Sequence, residues 1–284
     1  MKLYTEERSR RLVKKKIVTA MLVVCMMFCI SIDAFAAPTV TGGFAGINTY
    51  SYCGFGNRAG ASYVQNLSAG LNLIGRLGFI NYTKNYMYKN DDVTTSNCTG
   101  SSAVTFFAYS GHGIVYDYTA NNALHVNYNN GSTKSHSSLG EKTSTRINKL
   151  TTSTTFNHKY VVLYTCNQLT NNASTAKANN ILKMMNGTRL ILGFASTMYL
   201  DSREATLFTT KMRTDTIVNA FTAAAAYYQV QRTGGDSIAR AVGYNSALND
   251  KITISYSNAP NAANNLSSFG ILKTVTVPHT GVTI

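Results

Sequence analysis

The sequence has no C-x-x-C pair and no group of Cys and His at zinc-binding spacing, and its five histidines are dispersed over 284 residues. Structural zinc sites and dithiol redox motifs are therefore unsupported. Charge is scarce: 13% of residues are Asp, Glu, Lys or Arg, and beyond residue 16 the Lys and Arg are scattered, with no run interleaved with aromatics. No nucleic-acid module is recognisable in that pattern, and no nucleic-acid partner is expected. No internal repeat is present, and no apolar run reaches the roughly 20 residues that a membrane-spanning helix needs.

What is there begins with a basic stretch. Lys2, Arg8, Arg10, Arg11, Lys14, Lys15 and Lys16 precede the apolar run "IVTAMLVVCMMFCISI", which ends before the small-residue site Ala34-Phe35-Ala36. This order reads as a cleavable export signal over residues 1–36, bacterial in form, and the expected location is secreted. Residues 37–284 are then expected to form a single α/β domain, with a core over about 45–250 and a C-terminal extension over about 251–284. The first 36 residues hold seven of the 26 Lys and Arg and three of the 12 Asp and Glu, so 19 basic against nine acidic residues leave the remainder near +10. Such a balance fits a generally basic exported protein, with association with anionic cell-wall or membrane surfaces as the alternative.

Beyond the signal the cysteines are Cys53, Cys98 and Cys166. An odd number in an oxidising compartment leaves one thiol over, either reactive or deeply buried. Cys53 and Cys98 are candidates to pair with each other, a bond the sequence does not establish.

Three near-continuous apolar runs, "AVTFFAY", "KYVVLYTC" and "TRLILGFAS", read as strands buried on both faces. "GINTYSYC" and "FINYTKNYMY" read as strands around the helix "ASYVQNLSAGLNLIGRLG", whose Val64, Leu67, Leu71, Ile74 and Leu77 recur at helical spacing. Residues 114–158 suggest a hairpin and a short helix. The second half of "NQLTNNASTAKANNILKMM", the stretch "REATLFTTKMRTDTIVNAFTAAAAYYQV" and "GGDSIARAVGYNSALN" are expected to be helical, the last with Asp236 as N-cap, and "FGILKTVTV" is a terminal strand. Strands alternating with helices predict a mostly parallel sheet with helices on both faces, a three-layer sandwich whose functional crevice lies beyond the strand carboxyl ends.

His112 and Cys166 both fall just past such ends. A thiol becomes a nucleophile when a base within hydrogen-bond reach takes its proton. Gly113 lets the backbone approach closely enough to aim an N–H at a developing oxyanion, with the Cys166 N–H as a second donor. Ser110 in "AYSGHG" lacks the G-x-S-x-G elbow and reads as a turn hydroxyl.

"TFFAYSGHG" followed by "YVVLYTCNQ" resembles the two signature blocks of the clan CD cysteine peptidases, the group that includes caspases, gingipains, legumain, clostripain and the CHAT domains. The resemblance covers residues 45–250 approximately. It implies a caspase-like α/β sandwich and a cysteine endopeptidase with His112 as general base and acid, Cys166 as nucleophile, and the Gly113 and Cys166 amides as oxyanion donors. The implied partner is a protein or peptide substrate, with no cofactor and no metal. The 54 residues between His112 and Cys166 are close to the roughly 50 of caspases. "TCNQ" departs from the caspase Q-A-C-R-G and lacks the acidic neighbour of legumain-like members. The alternative reading is therefore a catalytically inactive caspase-like domain that binds a protein or an anionic surface polymer. Asp201 also has two readings. By resemblance to clostripain-like members it would pair a basic substrate residue; by position before "SREATLF" it is a helix N-terminal residue, which capping favours.

Overall fold

The computed structural model describes residues 36–48, 59–93, 97, 102–117, 121–125, 144–146, 157–169, 187–231, 235–257 and 269–280. The fold is α/β. Ten strands are described: β1 (Thr39–Gly46), β2 (Asn81–Lys89), β3 (Phe106–Ser110), β4 (Gly113–Asp117), β5 (Asn121–His125), β6 (Ser144–Arg146), β7 (Tyr160–Tyr164), β8 (Leu190–Phe194), β9 (Ser237–Tyr244) and β10 (Phe269–Val277). Three α-helices have their bounds among the described residues: α1 (Gly60–Arg76), α2 (Ser202–Met212) and α3 (Ile217–Tyr228). No helix among the described residues is long and apolar enough to cross a membrane.

Seven strands form a mixed sheet in the order β10-β9-β8-β7-β3-β1-β2, and β4, β5 and β6 form a second, three-stranded antiparallel sheet. From β2 to β8 the neighbours run parallel, and β9 and β10 add antiparallel at the far side. The strand order reverses between β1 and β3, the position at which open α/β sheets place their ligand crevice. Every residue of β3, β7 and β8 is buried, which explains their unbroken apolar sequences.

Helix α1 buries Tyr63, Val64, Leu67, Leu71 and Ile74 along one stripe. It stops in a Schellman turn: Gly78 adopts φ 81° and donates to the Gly75 carbonyl, while Phe79 donates to Ile74. Its N-terminus is drawn against the ends of β1 and β3 because Gly46 and Gly60 carry no side chains; a Cβ on Gly60 would strike the backbone carbonyls of Ser110 and Ile47. Helices α1, α2 and α3 pack side by side over the sheet. An aromatic series joins them to it: Tyr63 stacks on Tyr164 at 3.6 Å, Tyr164 meets Phe194 edge-on at 5.6 Å, and Phe221 and Phe208 continue to Phe106.

At the other end of the sheet Asp250 accepts from Arg189 Nε at 2.6 Å and Nη2 at 2.9 Å and from the Tyr160 hydroxyl at 3.0 Å, all three residues being buried. His158, also buried, accepts the Val104 N–H on Nδ1 at 3.1 Å and stacks on Phe107, and burial lowers its pKa to about 3.

Two sequence expectations are corrected. The first strand lies at Thr39–Gly46, ahead of the expected "GINTYSYC", and so ahead of the expected core start near 45. Its glycines disfavour a strand by propensity, but a Cβ on Gly43 would run into the Tyr86 ring of β2, so the glycine makes room for an aromatic neighbour. The stretch expected as a helix after Gly234-Gly235 is instead β9. Ala239, Arg240 and Ala241 favour helix locally, yet hydrogen-bond ladders to β8 and β10 on both sides and burial of the strand outweigh that preference. The stretch "REATLFTTKMRTDTIVNAFTAAAAYYQV" is two helices, with Thr216 capping the second through Asn219 N–H. Strand β10 lies within the expected C-terminal extension and borders the main sheet. The helix expected in the second half of residues 167–185, the Asn-Gly turn at 130–131, and Cys53 and Cys98 lie outside the described residues.

Candidate functional site

Strands β3 and β7 are parallel neighbours paired from Phe106↔Tyr160 to Ser110↔Tyr164. Each pair is 54 residues apart, the same offset that separates His112 from Cys166. Both residues therefore stand two positions beyond the last ladder pair, on one rim, beside the point where the strand order reverses. The backbones meet there: a Cβ on Gly113 would collide with the Cys166 carbonyl oxygen, Thr165 Oγ1 and Gln168 Nε2. Strand β4 starts at Gly113, so His112 joins the main sheet to the small one. The Tyr109 hydroxyl donates to the His112 carbonyl at 3.2 Å. Ser110, expected in the turn, is the wholly buried last residue of β3.

Cys166 opens a tight turn after β7. Asn167 takes a left-handed φ of 60°, which asparagine tolerates, and donates its N–H to Ser196 O at 2.9 Å; Leu169 N–H reaches Phe194 O at 2.9 Å. Gln168 Nε2 closes the turn on Cys166 O at 3.0 Å. The thiol is half-buried and free of disulfide. The Met198 N–H donates to Sγ at 3.3 Å, and Sγ lies 3.7 Å from Met198 O as donor. An N–H aimed at sulfur stabilises negative charge there.

Met198 belongs to the segment between β8 and α2, which is fastened underneath by a buried polar cluster that sequence reading missed. Gln229 Oε1 accepts the Tyr199 N–H at 2.8 Å, and its Nε2 donates to Tyr199 O at 2.9 Å and to Glu204 Oε2 at 2.7 Å. Tyr164 donates its hydroxyl to the same Oε2 at 2.6 Å, and Ser237 Oγ reaches Gln229 Oε1. Glu204 is wholly buried, and that burial pushes its carboxyl up to about 8, against the pull of its two donors. Desolvation, with the nearby Glu204 charge second, also raises the Tyr63 and Tyr164 hydroxyls well above their usual range. One signal was available: Glu204 lies four and eight residues before Phe208 and Met212, on the apolar stripe of α2.

Of the two readings of Asp201, the structure bears out the helix N-cap. Its Oδ1 accepts the Arg203 N–H at 2.8 Å as the N-cap of α2, and the Arg203 guanidinium covers the carboxylate, with Nη2 to Oδ2 at 2.6 Å. The carboxylate is buried and already neutralised. Among the described residues no three His, Cys, Asp or Glu side chains come together as a metal site.

An α/β protein carrying His-Gly and Cys turns side by side at the carboxyl ends of the parallel strands of a mixed sheet is the class that fold and site define. The chain belongs to the family described as Domain of unknown function (DUF6345), whose family model matches residues 49–272. No curated protein matches the sequence.

Proposed function

We propose that this protein is an exported cysteine endopeptidase with a caspase-like layout, in which His112 and Cys166 form the dyad. The supporting observation is the in-register emergence of both residues from adjacent parallel strands, with Gly113 packed on the Cys166 carbonyl. In this reading His112 takes the Sγ proton and the thiolate attacks the scissile carbonyl carbon. The oxyanion so formed receives N–H groups from Gly113 and Cys166, an arrangement worth roughly 3–4 kcal/mol of barrier per donor. Collapse breaks the C–N bond, His112 returns the proton to the leaving amine, and a thioester remains. Water, deprotonated by His112, then cleaves the thioester to a carboxylic acid and restores the thiol. No cofactor or metal enters this scheme. A peptide probe with a thiol-reactive end group labels the protein at Cys166 and fails on Cys166→Ala, and His112→Ala loses proteolysis with its fold intact. Labelling of Cys166→Ala equal to the wild type overturns the proposal.

A second reading is a catalytically inactive domain of the same layout that binds a protein or an anionic cell-surface polymer. It draws on the balance near +10 beyond the signal and on the bracketing of Sγ by the Met198 backbone. Under it, retention on a polyanionic matrix weakens steeply with salt and is untouched by His112→Ala.

A further inference from the structure

The peptide unit between Met198 and Tyr199 is rigid and planar, so its C=O and N–H point in opposite directions and cannot be turned independently. On one side the Met198 carbonyl faces Sγ of Cys166; on the other the Tyr199 N–H is held by Gln229 Oε1 at 2.8 Å. Gln229 Nε2 holds the next carbonyl, that of Tyr199, at 2.9 Å. The amide of Gln229 is oriented in turn by Glu204 Oε2, which accepts from it at 2.7 Å and from the Tyr164 hydroxyl at 2.6 Å. The chain of contacts from the interior of α2 thus ends at Met198, whose carbonyl lies 3.7 Å from Sγ and whose own N–H, in the preceding peptide unit, donates to the sulfur at 3.3 Å.

We infer that Glu204 and Gln229 are positioning residues, which fix the Met198–Tyr199 backbone against the Cys166 thiol and thereby set its ionisation and reactivity. The inference rests on the proposed reading only in taking Cys166 as the reactive group, and its readout does not require proteolysis. Both donors are directed at Oε2, and Oε1 has no hydrogen-bond partner among the described residues, which leaves it open to carry the proton of a neutral acid. Neutral Glu204 suits this chain because an ionised carboxylate would stand buried between Tyr164 of β7, Tyr63 of α1, Gln229 after α3, and the Asp201 carboxylate, with Tyr228 nearby and the Arg203 guanidinium already committed to Asp201. Tyr63 and Tyr164 are hydroxyls held neutral, and no cation faces Glu204 directly among the contacts described.

The test is alkylation of the full chain by iodoacetamide, read at Cys166 by peptide mapping, across a pH series. The expected result is that Gln229→Ala moves the Cys166 titration midpoint upward by about one pH unit and slows alkylation at neutral pH by about tenfold, the effect of weakening one hydrogen bond to a charged sulfur. Glu204→Gln, which keeps an oxygen acceptor without a charge, is expected to retain wild-type reactivity at neutral pH and to lack the second inflection expected of the wild type near pH 8. A Gln229→Ala protein that folds and alkylates with the wild-type profile overturns the inference. So does a folded Glu204→Gln protein that loses reactivity as fully as Gln229→Ala. If Cys166 follows the expected alkylation pattern while no peptide is cleaved, the positioning role stands and the peptidase reading falls.

Discussion

Gly113 and Cys166 touch across the carboxyl rim of the sheet: the space where a Gly113 side chain would begin is filled by the Cys166 carbonyl oxygen. Gly113 is not among the residues of positive φ, so its role is steric rather than conformational. Gly113→Ala is expected to displace the turn that carries the thiol by a fraction of an ångström to about 1 Å, and misplacement on that scale costs on the order of a hundredfold in rate. Turnover per titrated Cys166 thiol on a peptide substrate, compared with circular dichroism of the same sample, checks this. Equal turnover numbers would reduce Gly113 to a packing residue.

Asp201 caps α2 and is covered by Arg203, so it is not available to a substrate. Asp201→Asn, which retains a capping oxygen, is expected to leave the preference between basic and neutral substrate side chains unchanged. Asp201→Ala is expected to lower stability by about 1 kcal/mol through loss of the cap. A profile over substrates that differ only before the scissile bond decides the matter; a selective loss of basic substrates in Asp201→Asn would restore the pairing role.

Stability is expected to be highest between about pH 4.5 and 6.5, limited on each side by one buried group. Glu204 keeps its proton in the folded protein up to about pH 8, whereas the unfolded chain releases it near 4.5. The stability that the neutral acid contributes is complete below 4.5 and is lost as pH rises through 8. His158 behaves in the opposite sense: folded, it stays neutral down to about 3, whereas the unfolded chain takes up a proton near 6.5. Its contribution is complete above 6.5 and is lost as pH falls towards 3. Each group contributes on the order of 5 kcal/mol over its whole span, and because the two spans overlap between 4.5 and 6.5 each outer limb falls by about 2 kcal/mol. Thermal melts against pH test this, with Glu204→Gln flattening the alkaline limb and His158→Asn the acidic one.

The Arg189–Asp250 pair lies at the opposite end of the sheet from Cys166, and both members are buried. Asp250→Ala strands a buried guanidinium and leaves the Tyr160 hydroxyl without its acceptor, so a loss of about 3–5 kcal/mol in chemical denaturation is expected. Cys166 alkylation of the folded fraction should not change. A parallel loss of thiol reactivity would mean that the two ends of the sheet are coupled.

Reading from sequence succeeded where one physical cause dominated. β3, β7 and β8 are short and buried on both faces, so their apolar runs are unambiguous, and the places of His112 and Cys166 in the fold follow from where two of those runs stop. The helix α1 was equally plain from its stripe. β1 was hidden because its glycines answer to the rings of β2, a neighbour 42 to 43 residues away by register. β9 was hidden because its ladder partners, and not its own residues, decide its state. The Gln229–Glu204 fastening was illegible for a related reason. Its members come from α2 and from the turn after α3, and a lone Gln or Glu in a sequence does not reveal that its amide or carboxyl has been taken out of water.

The stack of Tyr63 on Tyr164 has an optical consequence. The chain has 18 tyrosines and no tryptophan, so nothing brighter obscures the phenol bands. Two rings 3.6 Å apart and 10° from parallel share their electronic transitions, and fixed tertiary packing is what near-ultraviolet circular dichroism records. Because Tyr164 donates to Glu204 and accepts from Gln229 Nε2, that shared band lies one hydrogen bond from the acid and two from the peptide unit that faces the thiol. The molecule thus carries its own chromophore beneath the site, and events at Cys166 can be followed by light without attaching a label.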